Sequence, residues 1–237
     1  MSASFEPTTH RAALGDELAR PARIWDLPTR LFHWALALAV ISLLITGLGG
    51  IMEWHFRLGY AVLALLLFRL VWGFVGGRWS RFAAFIYSPR SVLAYLAGRA
   101  HPDHLIGHTP LGAFSVFALL GILGLQVATG LVADDEISAS GPLTRLVSNA
   151  AVSLASGWHT TYGKWTVIAL VSLHLLAILF YVLVKRDRLV RPMFSGDKLL
   201  SGGRIAESRD NLATRLLALL IFALCAGFAV WIASLRA

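Results

Sequence analysis

Five long apolar runs, separated by polar segments, dominate the pattern of the chain. They are Leu31 to Gly49, Leu58 to Gly76, Leu111 to Val132, Thr161 to Val184 and Leu212 to Leu235. Each is close to the roughly 20 apolar residues a helix needs to cross the hydrocarbon of a bilayer. None shows the period-two alternation of a strand. Lipid admits only helices or closed barrels, because every backbone polar group must be satisfied within the element. The pattern therefore predicts an all-α, integral membrane helical bundle. Residues 1–23 precede it as a polar tail with no apolar stretch leading to a cleavage site, so the first run is expected to be a retained span.

The connecting segments alternate in charge. Arg11, Arg20, Arg23 and Arg30 precede the first span, and Arg78, Arg81, Arg90 and Arg99 follow the second. Lys185, Arg186, Arg188, Arg191, Lys198, Arg204, Arg209 and Arg215 lie between the fourth and fifth. The first loop offers only Arg57, and the third offers Arg145 beside the acidic Asp134, Asp135 and Glu136. Basic loops face the cytoplasm, so the N-terminus is expected inside. Two loops carry helical signals. Ser88, Pro89 and Gly98 frame a short interfacial helix as cap, first residue and stop. Leu143, Leu146, Val147, Ala150, Ala151 and Leu154 fall at helical spacing, which predicts an amphipathic helix lying over the outer end of the bundle.

Composition supports the membrane reading, with 57% hydrophobic and 14% charged residues, where a soluble domain carries about 25% charge. The net charge of +8 does not point to nucleic acid, because the basic residues lie in blocks between apolar runs. The single cysteine, Cys225, excludes a disulfide framework, a cysteine-ligated iron–sulfur cluster and C-x-x-C-H haem attachment.

Histidines carry the candidate chemistry. An ionisable group at membrane depth is costly and points to function. His33 opens the first span on the inner side, and His55 precedes the second on the outer side. His159 and His174 lie on the fourth, separated by roughly 22 Å along the axis and about 60° in azimuth. Depth pairs His55 with His159 near the outer face and His33 with His174 nearer the inner face. Two imidazoles from different helices in each of two layers is what two bis-histidine haems need. Spacing alone leaves zinc or another metal as the alternative.

Four cations lie near these layers. Arg30, Arg57 and Lys164 suit anionic haem propionates, with snorkelling to headgroups as the competing reading. Arg69, about 21 Å deeper along span two than His55, is expected to meet a propionate or another buried polar partner. Gly47, Gly59, Gly73, Gly121, Gly124, Gly130 and Gly163 give clearance for either a flat ligand or close helix packing. Trp25, Trp34, Trp54, Trp72, Trp79, Trp158 and Trp165 read mainly as belt residues. His101, His104 and His108 form H-x-x-H-x-x-x-H in an inner loop, read first as solvated histidines and second as a metal site.

Several linked segments carry a family resemblance. They are Ile24-Trp25-Asp26-Leu27-Pro28-Thr29-Arg30-Leu31-Phe32-His33-Trp34, His55-Phe56-Arg57-Leu58-Gly59-Tyr60, Phe68-Arg69-Leu70-Val71-Trp72-Gly73, Gly107-His108-Thr109-Pro110-Leu111-Gly112, and the pair His159 and His174. Together they resemble the bacterial cytochrome b561 family, which includes the membrane cytochrome b subunits of nickel–iron hydrogenases. The resemblance runs from about residue 24 to 190. It implies a four-helix haem-binding core with two b haems, ligated by His33, His55, His159 and His174. Residues 191–237 are then a cytoplasmic linker and a fifth, C-terminal transmembrane helix outside that core. It further implies a bacterial inner-membrane protein passing electrons between quinone or quinol and a periplasmic or peripheral partner. That partner would be a c-type cytochrome, a dehydrogenase or a hydrogenase. Quinone is expected near the inner haem, with Arg30, Asp26 or His108 as candidate hydrogen-bonding groups, although Thr109 stands where relatives often have asparagine and leaves the role of His108 open. No residue is expected to act as a covalent catalyst. The competing enzymatic reading is a stand-alone quinone-coupled oxidoreductase, for example one acting on superoxide at the outer face. Arg57, Arg145 and Lys164 would attract that anion, and Asp134, Asp135 and Glu136 would oppose it.

Overall fold

The computed structural model describes residues 20–99, 101–137, 139–200 and 205–236. The tail to residue 19, with His10 and Arg11, and Arg204 of the last basic loop lie outside the described residues. Among the described residues, five helices are long and apolar enough to span a membrane. The all-α bundle expected from the apolar runs is therefore observed.

Strand β1 (Arg20–Arg23) leads into α1 (Leu27–Leu48) and α2 (Met52–Val75). Helix α1 starts four residues before the apolar run, because Asp26 accepts from Thr29 N and caps it, with Pro28 in the first turn. Helix α2 starts six residues before its run and takes His55 inside its first turns. The short α3 (Pro89–Leu96) has the predicted form: Ser88 accepts from Ser91 N, and Gly98 follows at φ +72°.

Helix α4 (Pro110–Val132) is capped by Thr109. The outer loop differs from expectation. Thr144–Leu146 makes only a 3-10 turn, and α5 (Asn149–Gly157) does not lie across the bundle. It is the first part of one helical stretch, Asn149–Leu183, and packs along α4. Ser148 caps it, no proline interrupts it, and a π turn at Trp158–Gly163 passes it into α6 (Lys164–Leu183).

The described residues between the fourth and fifth spans are built into the fold. After α7 (Val190–Ser195), strand β2 (Asp197–Leu200) pairs antiparallel with β1, Arg23 opposite Asp197 and Arg20 opposite Leu200. Ile24 N and Trp25 N both donate to Gly196 O, at 2.9 and 3.0 Å. Gly196 holds φ +89°, and a Cβ there would stand 2.7 Å from Trp25 O, so both conformation and space require glycine. Ser208 Oγ donates to Ile24 O at 2.7 Å and accepts from Trp79 N at 3.2 Å. Asp210 gathers Arg23 at 3.0 Å, Arg215 at 2.9 Å and Arg30 at 3.8 Å. Burial works to raise its carboxyl, but the Arg215 hydrogen bond and the Arg215 and Arg23 charges prevail and hold it below the usual range.

Helix α8 (Leu212–Ser234) packs on α2 and α1. Its Ala218 joins Phe32, Leu65, Phe68 and Trp72 in the main buried cluster, flanked by Ile221 and Cys225. A second cluster, Val40, Leu123 and Val167, joins α1, α4 and α6 at mid-depth.

One fully buried carboxylate joins these parts. Asp26 accepts from Thr29 N at 2.8 Å, Trp72 Nε1 at 3.2 Å, Gly77 N at 3.1 Å and Ser80 Oγ at 2.6 Å. The start of α1 is thereby fixed to the end of α2. Replacing it strands several buried donors, each costing about 1–3 kcal/mol. Asp26→Ala is expected to lower stability by about 2–4 kcal/mol, with Asp26→Asn milder, as read by thermal unfolding in detergent followed by circular dichroism. Equal melting of all three proteins would contradict this role.

Candidate functional site

The bundle has two ends. The near end carries β1, the start of α1, residues 76–99 and 101–109, and the described residues between α6 and α8; the far end carries the turns after α1 and α4. Two of the four predicted histidines meet at the far end. His55 of α2 and His159 of the π turn have ring centroids 6.0 Å apart and planes at 84°. Two metal–imidazole bonds of about 2 Å each put facing nitrogens about 4 Å apart and ring centroids about 6 Å apart. The observed separation is compatible with a metal held between the two rings and equally with an edge-to-face ring contact.

Both far-end imidazoles are oriented by their other nitrogen. His55 Nδ1–H donates to Leu43 O at 3.2 Å, with Thr46 Oγ1 at 3.4 Å. His159 Nδ1–H donates to Gln126 O at 2.9 Å. A proton committed to Nδ1 leaves the Nε2 lone pair for a metal. Gln126 acts twice, because its side-chain Nε2 also donates to His159 O at 2.8 Å. Two glycines make room for the rings. A Cβ on Gly47 would stand 3.0 Å from the His55 ring, and one on Gly130 2.7 Å from the His159 ring.

A cavity of about 260 Å³ opens beside these histidines. Val40, Leu123 and Val167 of the mid-depth cluster line it, as do Tyr60, Lys164, Asp134 and Asp135. Its walls are mostly apolar, which suits a flat organic ligand with few polar groups.

The second pair sits toward the near end. His33 and His174 lie within electrostatic reach of one another. Ser115 Oγ is 3.3 Å from His174 Nδ1. Four buried atoms without a hydrogen-bond partner lie at this end, Arg30 Nε, His33 Nδ1, Arg69 Nη1 and His108 Nδ1, while Tyr60 Oη, Gln126 Oε1 and Trp158 Nε1 are in the same state toward the far end. Buried polar groups are normally satisfied, so such a set marks a place where a polar ligand would be held.

The predicted cations divide. Arg69 is buried, 3% exposed, with its guanidinium 4.6 Å from the Phe82 ring centroid. Arg30 donates to Phe194 O and faces Asp210. Lys164 lines the far-end cavity. Arg57 is turned away, paired with Glu53 at 2.7 Å, over the Trp54 ring. Asp26 is committed to its four donors. His108 packs between Trp25 and Phe85, with centroids 4.6 and 4.2 Å away. Burial, then the neighbouring Arg69 and His33, hold its imidazole down at about 3, so it is neutral near pH 7.

Donor sets discriminate between metals. Among the described residues, no three of histidine, cysteine, aspartate and glutamate converge to hold an ion. Zinc takes three or four protein ligands, and His101, His104 and His108 do not supply them. Pairs of histidines suffice where a macrocycle provides the remaining donors. The far-end residues fit such a group by ring separation, tautomer and clearance.

Gln126, Thr46, Ser115 and Tyr60 were not singled out from the sequence. A glutamine in an apolar run is a legible signal at membrane depth; the backbone carbonyls that orient the rings leave none.

Comparison with known proteins places this arrangement. A family model described as prokaryotic cytochrome b561 matches residues 24–196. Similar curated proteins include a probable Ni/Fe-hydrogenase B-type cytochrome subunit of Rhodobacter capsulatus, 26% identical over 77% of this chain and 83% of that protein. Its counterpart in Cupriavidus necator is 24% identical over 80% and 91%. The probable Ni/Fe-hydrogenase 1 B-type cytochrome subunit of Escherichia coli K12 is 25% identical over 79% and 95%. No solved structure matches. With the family match covering the whole four-span histidine-bearing core, the chain belongs to the prokaryotic cytochrome b561 family.

Proposed function

We propose that this protein carries electrons across the bacterial inner membrane through two b haems, between a hydrogenase-type partner at the outer face and quinone near the inner one. The far-end imidazole pair carries the reading: two rings at 6.0 Å, each with Nδ1 committed to a backbone carbonyl. In the proposal His55 and His159 hold the outer haem, and His33 and His174 the inner. Each haem, when bound, supplies a one-electron iron couple. The hydrogenase partner rests on the names of the relatives, which are cytochrome subunits of Ni/Fe hydrogenases.

The chain's residues have distinct tasks in this scheme. Carbonyls of Leu43 and Gln126 hold the outer imidazoles in one tautomer and raise their basicity. Val40, Leu123 and Val167 keep the space between the layers apolar and dry. Arg69 and Arg30 offer unpaired guanidinium N–H groups to carboxylates of the inner cofactor. The basic near-end loops face the cytoplasm, by the positive-inside rule.

Two outcomes test this. His174→Ala and His55→Ala should each reduce pyridine-haemochrome haem from two per chain to about one, with different bands lost from the reduced-minus-oxidised spectrum; unchanged haem in either variant would refute the pairing. Gly130→Leu drives a side chain into the His159 ring and should cut outer-haem occupancy about twofold or more. Gly121→Ala, whose Cβ meets nothing within 4 Å, should leave both haems in place.

A further inference from the structure

Tyr60 lies on α2 five residues beyond His55 and lines the far-end cavity. Its hydroxyl oxygen is buried and has no hydrogen-bond partner. An unmet buried hydroxyl costs about 1–3 kcal/mol, so this one points to an acceptor supplied by a ligand. The charge within its electrostatic reach is Arg236, just beyond the end of α8. The Arg236 guanidinium stands 3.7 Å from the centroid of the Phe56 ring, one turn before Tyr60. Its position is held from the other side, where Arg145 donates to Leu235 O at 2.7 Å. The fifth helix thus delivers a fixed cation to Phe56, itself part of the cavity wall.

The rest of the rim bears on what this cation meets. Arg57 is neutralised by Glu53. Asp134 and Asp135 line another part of the wall, and Lys164 stands over Trp165. An anion entering the cavity therefore has two cationic approaches, Lys164 on the wall and Arg236 packed on Phe56, and the unmet Tyr60 hydroxyl lies on the Arg236 side.

We propose that Tyr60 and Arg236 form a carboxylate-binding pair at this rim, so that the fifth membrane helix completes the outer haem site. This rests on the outer-haem reading above. A phenol O–H and a guanidinium fork are complementary to one carboxylate. The carboxylate is that of the porphyrin; a lipid phosphate at the same depth is the competing anion.

Purified full-length chain is loaded with haem b or with haem whose carboxylates are methyl esters, in nanodiscs with and without anionic lipid, and both midpoint potentials are titrated. With haem b, Arg236→Gln should move the outer oxidised-to-reduced ratio at fixed potential about tenfold toward oxidised, about 59 mV for one electron. Tyr60→Phe should move it the same way by a smaller factor, and the inner couple should not move. With the ester haem, both variants should shift the outer couple clearly less than with haem b. Should Arg236→Gln lose the outer haem, which also supports the pair, Tyr60→Phe carries the same comparison with one oxygen removed. No shift with haem b, equal shifts with the ester, or shifts seen only with anionic lipid would each overturn the pair. The parent reading fails separately, if His55→Ala leaves the haem count unchanged.

Discussion

The buried Asp26 carboxylate is the contact on which the geometry of the bundle rests. It caps α1 and accepts from the end of α2 and the turns that follow. Two helices packed only by apolar side chains can slide, since lipid and a neighbouring helix are nearly equivalent to an aliphatic surface. A carboxylate with four fixed donors permits one register. That register sets the depth of His33 on α1 and of His55 and Arg69 on α2. The relative depths of these α1 and α2 residues are thus set from a point at the ends of both helices.

The two layers are held differently. At the far end the imidazoles of His55 and His159 are anchored to backbone carbonyls, and glycines crowd their rings. At the near end His33 Nδ1 has no partner and several cationic or imidazole nitrogens are unmet. Haem potentials respond to ligand hydrogen bonding and nearby charge. In the proposed scheme the two histidine pairs would therefore not be equivalent, which is what a directed path for electrons requires.

The fifth helix is integrated at both ends. Near its start, Asp210 ties Arg23, Arg30 and Arg215 together, and Ser208 locks onto Ile24 and Trp79. Near its end, Leu235 and Arg236 meet Arg145 and Phe56. Along its length it buries Phe68 and Trp72 of α2. The segment between, which reads as a linker, carries a strand paired with β1.

Five spans, the short capped helix at Pro89 and the candidate histidines were all legible in the amino-acid sequence. The physical reason is that transfer into lipid is a nearly additive sum over consecutive residues, and that caps and breakers act within a few positions. What the sequence did not reveal depends on groups far apart along the chain. The partners of Asp26, the β1–β2 pairing, the turn of Arg57 toward Glu53, and the meeting of Tyr60 with Arg236 are of this kind. The continuation of the outer-loop helix into span four was missed for a subtler reason. Periodicity identified its residues but not its direction, which was decided by packing along α4 and by a π turn at His159. Hydrophobic patterning fixes which segments are buried in the membrane; only tertiary contact decides which buried polar atoms find partners, and which are left for a ligand.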